Sequence, residues 1–150
     1  MSDPRVELVT DEDGLDAAIA VRREVFVEGQ GVPEDRELDG RDDEATHVLA
    51  RDGDAVVGTA RLREYHDGEG DEPRTAKVER VAVRDSRRGE GWGARIMAAV
   101  EDHAREQGYD RVYLHAQVPV VAFYEHLGYE AHGEEFEDAG IPHREMTKAL

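Results

Sequence analysis

A chain of 150 residues has the length of one domain and can bury one core, so residues 1–150 are read as a single unit. It contains no cysteine, which excludes disulfides, thiolate nucleophiles and zinc–thiolate sites. Asp and Glu number 36 against 19 Lys and Arg, a formal net charge of −17, and a field of that sign opposes phosphate backbones and anionic lipid. We therefore expect no nucleic-acid partner. No apolar run is long enough to cross a bilayer, and Met1-Ser2-Asp3-Pro4-Arg5 does not read as a signal peptide. A cytoplasmic protein without a membrane partner is the expectation. The cations are nearly all Arg, with Lys only at Lys77 and Lys148. An acidic excess of this size reads as adaptation to molar salt, where the Debye length contracts to about 3 Å. A plain well-solvated acidic surface is the alternative.

Val6–Thr10 reads as a first strand. Asp11 or Asp13 then caps a helix running to about Glu28, with Leu15, Ile19, Arg22/Arg23 and Phe26 as its inward stripe. Gly29-Gln30-Gly31-Val32-Pro33 ends that helix, and Glu34–Glu44 reads as a loop or a short irregular helix. Two strands, His47–Arg51 and Ala55–Arg63, flank Asp52-Gly53-Asp54, a hairpin signal. His66–Arg74 is polar and glycine-rich, hence a loop. Thr75–Val83 is a strand in which Val81 and Val83 alternate with Arg80 and Ala82. A helix follows from Gly91 to Gln107, with Ile96, Met97, Val100 and Ala104 inward and Gly108 at its end. Arg111–Gln117 is a strand that buries Val112 and Leu114. Pro119 opens a short helix that Gly128 closes. Tyr129–Phe136 and Arg144–Leu150 are the last two strands, around an acidic turn. The order β-α-β-β-β-α-β-α-β-β implies an α/β fold with a central mixed sheet and helices on both faces.

Arg88-Gly89-Glu90-Gly91-Trp92-Gly93 lies between a strand and a helix. Glycine lets a backbone approach a ligand closely, and the first helical turn offers unpaired N–H groups at the positive end of the helix dipole. Together they suit a pyrophosphate. A P-loop would need Lys and Ser/Thr after the last glycine, where Ala94 and Arg95 stand. Gly89-x-Gly91-x-x-Ala94 matches a dinucleotide fingerprint superficially. The next strand, however, ends His115-Ala116-Gln117 and has no carboxylate for a ribose.

Val81-Ala82-Val83 followed by Arg88-x-x-Gly91-x-Gly93 resembles the acetyl-CoA motif of the GNAT superfamily of N-acetyltransferases. Ala122-Phe123-Tyr124-Glu125-His126-Leu127-Gly128-Tyr129 is similar to that family's later motif, and one helix plus one strand separate the two, as in the family. Val25-Phe26-Val27-Glu28-Gly29-Gln30-Gly31-Val32-Pro33, Leu114-His115-Ala116-Gln117 and Gly140-Ile141-Pro142-His143 resemble the branch that includes the ElaA-like proteins. The resemblance spans nearly the whole chain. It implies a GNAT-like acyl-CoA N-acyltransferase fold in which Thr75–Val83 and Arg111–Gln117 splay apart.

The resemblance also implies a set of roles. Acetyl-CoA would be the co-substrate, its pantetheine arm bonded by the backbone of Val81 and Val83 beside Ala82. Its pyrophosphate would rest on Arg88, Gly89, Glu90, Gly91, Trp92 and Gly93, with Gln117 and Phe123 completing the contact. Tyr124 is the expected acid for the departing thiolate; a space-filling core tyrosine is the alternative. The base has three candidates. Glu79, two residues before Val81, is expected on the same strand face; His115 and His143 are the others. No His pair has zinc-helix spacing, so no metal is expected. The acceptor would be a small-molecule or peptide amine, attacked in a ternary complex. A competing reading is a non-catalytic acetyl-CoA-binding module. A homodimer is left open.

Overall fold

The computed structural model describes residues 3–65 and 74–150; the loop expected at 66–74 lies almost wholly outside them. Strand β1 (Pro4–Leu8) is followed by helix α1 (Glu12–Arg22), which passes into a π-helical turn (Arg23–Glu28), and by the short helix α2 (Glu34–Glu37). Then come β2 (Thr46–Asp52), β3 (Ala55–Tyr65), β4 (Thr75–Val83), α3 (Trp92–Glu106), β5 (Arg111–Gln117), α4 (Val121–His126), β6 (Glu130–Asp138) and β7 (Ile141–Ala149). The strands form one sheet in the order β1-β2-β3-β4-β5-β7-β6, antiparallel throughout except for the parallel β4–β5 pair. This is the expected mixed sheet. Among the described residues no helix is long and apolar enough to cross a membrane.

The main core lies between the sheet and α3. Ile96, Met97, Val100 and Ala104 of α3 are buried as expected, against Val48, Val57, Val78, Val112 and Leu114 of the strands. Burying each of these larger side chains is worth about 1.5–3 kcal/mol, so α3 is the element most firmly seated.

Helix α1 covers the opposite face, in a phase one residue away from the expected one. Asp11 is its cap, accepting a hydrogen bond from the Gly14 N–H at 2.7 Å. The buried positions are Gly14, Ala18, Val21, Arg22 and Val25, while Leu15, Ile19 and Phe26 are only partly buried and Arg23 is exposed. Close approach explains the shift. A Cβ on Gly14 would sit 3.1 Å from Val9, so small residues line the contact and the larger ones flank it. Strand β1 likewise ends two residues before the expected Thr10, because the chain leaves the ladder to reach Asp11.

The other departure from the expected pattern is in β4. Arg61 pairs with Glu79 and Thr59 with Ala82, so Ala60 alone faces both Arg80 and Val81. This is a β-bulge, and Arg80 adopts φ +57, a left-handed conformation that costs a non-glycine residue roughly 1–2 kcal/mol. Side-chain alternation changes phase there. Ala76 and Val78 face the α3 core before the bulge, and Val81 and Val83 pack against it afterwards. Glu79 and Val81 therefore lie on opposite faces, which corrects the expectation that they share one.

Candidate active site

Strands β4 and β5 are paired only from Thr75/Arg111 to Val78/Leu114. Beyond that point β4 stays on β3 through Val83, and β5 stays on β7 through Gln117. The two strands therefore splay, leaving the facing edges of Glu79–Val83 and His115–Gln117 without a ladder partner in each other. Unpaired strand-edge groups can take an extended ligand as an added strand would. A cleft of about 830 Å³ opens at this fork and is lined by residues of both strands, Val81 to Val83 among them.

One end of the cleft is the N-terminus of α3. Gly91, at φ +86, caps that helix without any side-chain hydrogen bond, and its first turn carries no acidic residue. The contrast with α1 is direct, since there Asp11 caps and Glu12 and Asp13 follow. In so acidic a chain, a helix start kept clear of carboxylates leaves its N–H groups and dipole for an outside anion. Gly89 (φ +81) and Gly91 both face open space, with nothing within 4 Å of where a Cβ would stand. Gly93 serves differently. A Cβ there would stand 3.0 Å from Cζ of Phe123, so Gly93 permits α3 and α4 to touch.

Several charged side chains around this end are already paired. Glu90 accepts hydrogen bonds from the Trp92 indole and from Arg87 Nε, each at 2.9 Å. Trp92 itself is buried in the core between Arg87 and Arg95, its ring 5.9 and 5.6 Å from their guanidinium carbons. Arg88 is half exposed and pairs with Asp85 at 3.1 Å.

Tyr124 enters the cleft from α4. It is 7% exposed and makes edge contacts with Phe123 and Tyr129. Burial pushes its phenol up to about 12, so it stays protonated at any working pH. Among the described residues its hydroxyl has no hydrogen-bond partner.

The other face of the fork is polar. Lys77, Glu79, His115, Gln117 and His143 all line the cleft there. Burial raises the Glu79 carboxyl, but the hydrogen bond from Arg63 and the charges of Arg61 and Lys77 outweigh it and bring it to about 2. Desolvation, with Lys77 adding to it, lowers the His115 imidazole below its usual range, so the ring is neutral at pH 7. Tyr113 donates to Glu145 at 2.8 Å, so the His115 Nε2 beside it, also at 2.8 Å, is the donor of that pair. His143 is buried, with Nδ1 2.6 Å from the Ile141 carbonyl oxygen. Nδ1 therefore donates to that carbonyl, and Nε2 is the ring nitrogen left towards the cleft.

A roof crosses this half of the cleft. The amides of Gln30 and Gln117 exchange two hydrogen bonds, at 2.9 and 3.3 Å, and Arg36 pairs with Asp138 at 3.3 Å. Both ties join the segment around α2 to the β5–β7 arm. Sequence reasoning framed the acceptor by Phe26–Glu37 and the Glu130–His143 region without assigning a role to Gln30 or Lys77 or foreseeing how α2 is anchored. The only available signal was the rarity of lysine, one of two standing two residues before Glu79.

Residues 12–150 match the Acetyltransferase (GNAT) domain. The uncharacterized N-acetyltransferase YjcF of Bacillus subtilis (strain 168) is 41% identical over 94% of this chain and 96% of its own length. Protein ElaA of Escherichia coli (strain K12) is 31% identical over 91% of this chain and 88% of its own. The crystal structure of Escherichia coli ElaA superposes with a TM-score of 0.81, covering 99% of both chains at 27% identity. An acyl-CoA N-acyltransferase from Pseudomonas aeruginosa also gives 0.81, at 28% identity, over 99% of this chain and all of that one. The chain therefore belongs to the GNAT acetyltransferase family as an acyltransferase enzyme.

Proposed function

We propose that the chain transfers an acetyl group from acetyl-CoA to a primary amine by direct attack in a ternary complex. The observation that carries this reading is the meeting, in one cleft, of an open strand fork, an uncapped helix N-terminus and an unpartnered phenol. Bound acetyl-CoA supplies the activated acyl carbon. The first-turn N–H groups of α3, with Gly89 and Gly91, hold its pyrophosphate, and the backbone edges of Val81 and Val83 hold its arm. Ala82 packs instead on α1, and Gln117 keeps the arm's far side roofed through Gln30.

Tyr124 donates its proton to the departing sulfur. The amine must lose a proton to react. Glu79, held at about 2, is a weak direct acceptor, and its part is to order water. Proton acceptance falls to an imidazole, His115 or His143, and His143 has its Nε2 unbonded among the described residues. The acidic surface suits the protein to molar salt.

The test is binding and turnover together. Acetyl-CoA at a hundredfold excess over Kd should stabilise the fold by roughly 2.7 kcal/mol, NAD and ATP far less, and an amine panel should release free thiol. A thermal shift that favours NAD over acetyl-CoA would sink the reading.

A further inference from the structure

The acceptor half of the cleft contains one cation whose valence is left over. Lys77 lies on β4 opposite Tyr113, two residues before Glu79 and on the same face, and its side chain is 13% exposed. Its Nζ stands 3.4 Å from Glu79 Oε2 and makes no hydrogen bond among the described residues. The rings of Tyr65 and Tyr113 lie 5.7 and 6.0 Å away and shelter it. Glu79 is a poor partner because Arg63 and Arg61 already hold it, at 2.5 and 3.0 Å. An ammonium has three donors and no acceptor, so this one is short of anions in a place where water has little access.

The surrounding charges do not make up the deficit. The ion-pair network beneath the cleft joins five cations (Arg22, Arg61, Arg63, Lys77 and Arg80) to four carboxylates (Glu37, Asp39, Asp42 and Glu79). Among the described residues this network carries one positive charge over, inside a chain of net −17, and Glu145, which accepts the Tyr113 hydroxyl at 2.8 Å, lies outside the cleft lining. The carboxylates lining the cleft are Glu37, Glu79 and Asp138, and each is held by an arginine. A cationic tail on the acceptor would find no carboxylate without a partner there, whereas a monoanion would complete Lys77.

We propose that Lys77 is an anion subsite, and that the acceptor is a compact amino-carboxylic acid whose carboxylate pairs with it. This rests on the acetyl-transfer reading above. Compactness follows from spacing: positions i and i+2 of a strand are about 7 Å apart, so carboxylate and amine lie close together when one meets Lys77 and the other the groups at the level of Glu79 and His115.

The experiment uses matched pairs, free amino acids and their carboxamides, assayed by thiol release from acetyl-CoA with the wild-type chain and with Lys77→Met, which keeps the stem over the tyrosine rings. Wild type should prefer the acids in kcat/KM by about 10- to 100-fold, the range of one charge-assisted hydrogen bond. Lys77→Met should bring acid and amide to near parity with acetyl-CoA affinity unchanged. Lys77→Gln provides a second variant if Met impairs folding. An equal preference in both proteins, or a preference for the amides, overturns the subsite. Absence of turnover with every amine would instead strike the acetyl-transfer reading. The subsite is then read by calorimetry on the CoA-loaded chain, where an N-acetyl amino acid should bind wild type more tightly than its amide and lose that margin in Lys77→Met. Equal binding of the two by wild type overturns the subsite there as well.

Discussion

Replacing Tyr124 by Phe isolates the chemistry of one oxygen. The hydroxyl has no protein partner among the described residues, so no hydrogen bond worth about 0.5–1.5 kcal/mol is lost, and the ring keeps its contacts with Phe123 and Tyr129. The melting temperature should therefore hold within a degree or two. The phenol at about 12 lies about 3.5 units above a free thiol near 8.5, which makes full proton transfer to an ordinary thiolate uphill by roughly 5 kcal/mol. Burial of the sulfur raises its own affinity for the proton and narrows that gap. The donor thus acts as sulfur charge develops, and its loss should lower kcat by about 10²–10⁴-fold. Acetyl-CoA affinity should move little, because the bound thioester carries no thiolate. Thiol release gives kcat and calorimetry gives Kd on the same preparation. The wild-type pH profile should also show no loss of activity attributable to a tyrosine titrating near 10. Unchanged kcat in Tyr124→Phe would refute the acid role. A parallel fall of binding and melting temperature would make the residue a structural one.

The two glycines of the cradle should separate by readout. Gly91→Ala puts a methyl into open space at φ +86, at a backbone cost of roughly 1–2 kcal/mol, and should weaken acetyl-CoA binding in calorimetry. Gly93→Ala meets Phe123 at 3.0 Å and should cost about 1–3 kcal/mol of stability from overpacking. Adding Phe123→Leu should recover much of it in a double-mutant cycle of melting temperatures; strict additivity would deny the contact. For the acidic surface, the melting temperature should climb steeply from low salt to molar KCl as self-repulsion is screened. A flat curve would return the charge to ordinary solubility.

How much of this was legible in sequence depended on whether a signal was local. The order of the strands and main helices could be read because α3 and β5 each repeat their own period, with Ile96, Met97, Val100 and Ala104 on one and Val112 and Leu114 on the other. The glycine-led start of α3 could be read because Gly89 and Gly91 take left-handed φ values that glycine adopts most readily. The phase of α1 was not, because its closest contacts are Gly14 and Ala18, which weigh little in any apolar stripe. The bulge was still less accessible. Glu79-Arg80-Val81 alternates as a regular strand would, and an arginine gives no local hint of a left-handed backbone. What sustains it lies 43 residues away. Arg80 Nε donates to Glu37 at 2.8 Å, and Glu37, read in sequence as part of a loop or short irregular helix, is 3% exposed.

That remote contact explains why two fully buried arginines are present. Arg22 and Arg61 are 1% and 0% exposed, and desolvating such groups costs several kcal/mol each, so their ion pairs are weak evidence for stability. Their effect is positional. Arg22 grips Glu37 with Nε at 2.8 Å and Nη2 at 3.1 Å, and reaches Asp42. Arg61 joins Asp39, Asp42 and Glu79, and Arg80 closes the circuit from β4 to α2. The circuit holds Arg80 in a conformation it would not adopt alone. Through that one residue it turns Glu79 towards the acceptor side while Val81 and Val83 stay with the α3 core. The half of the cleft beside α3 thus rests on apolar packing, and the other half on charge reaching across from α2. On the proposed reading, selection acting on the acceptor can alter α2 and its partners without disturbing the start of α3, where the pyrophosphate is proposed to rest. On that same reading, the residues that decide which acceptor is used belong among the ion pairs of α2, β3 and β4, apart from the glycine motif at the start of α3.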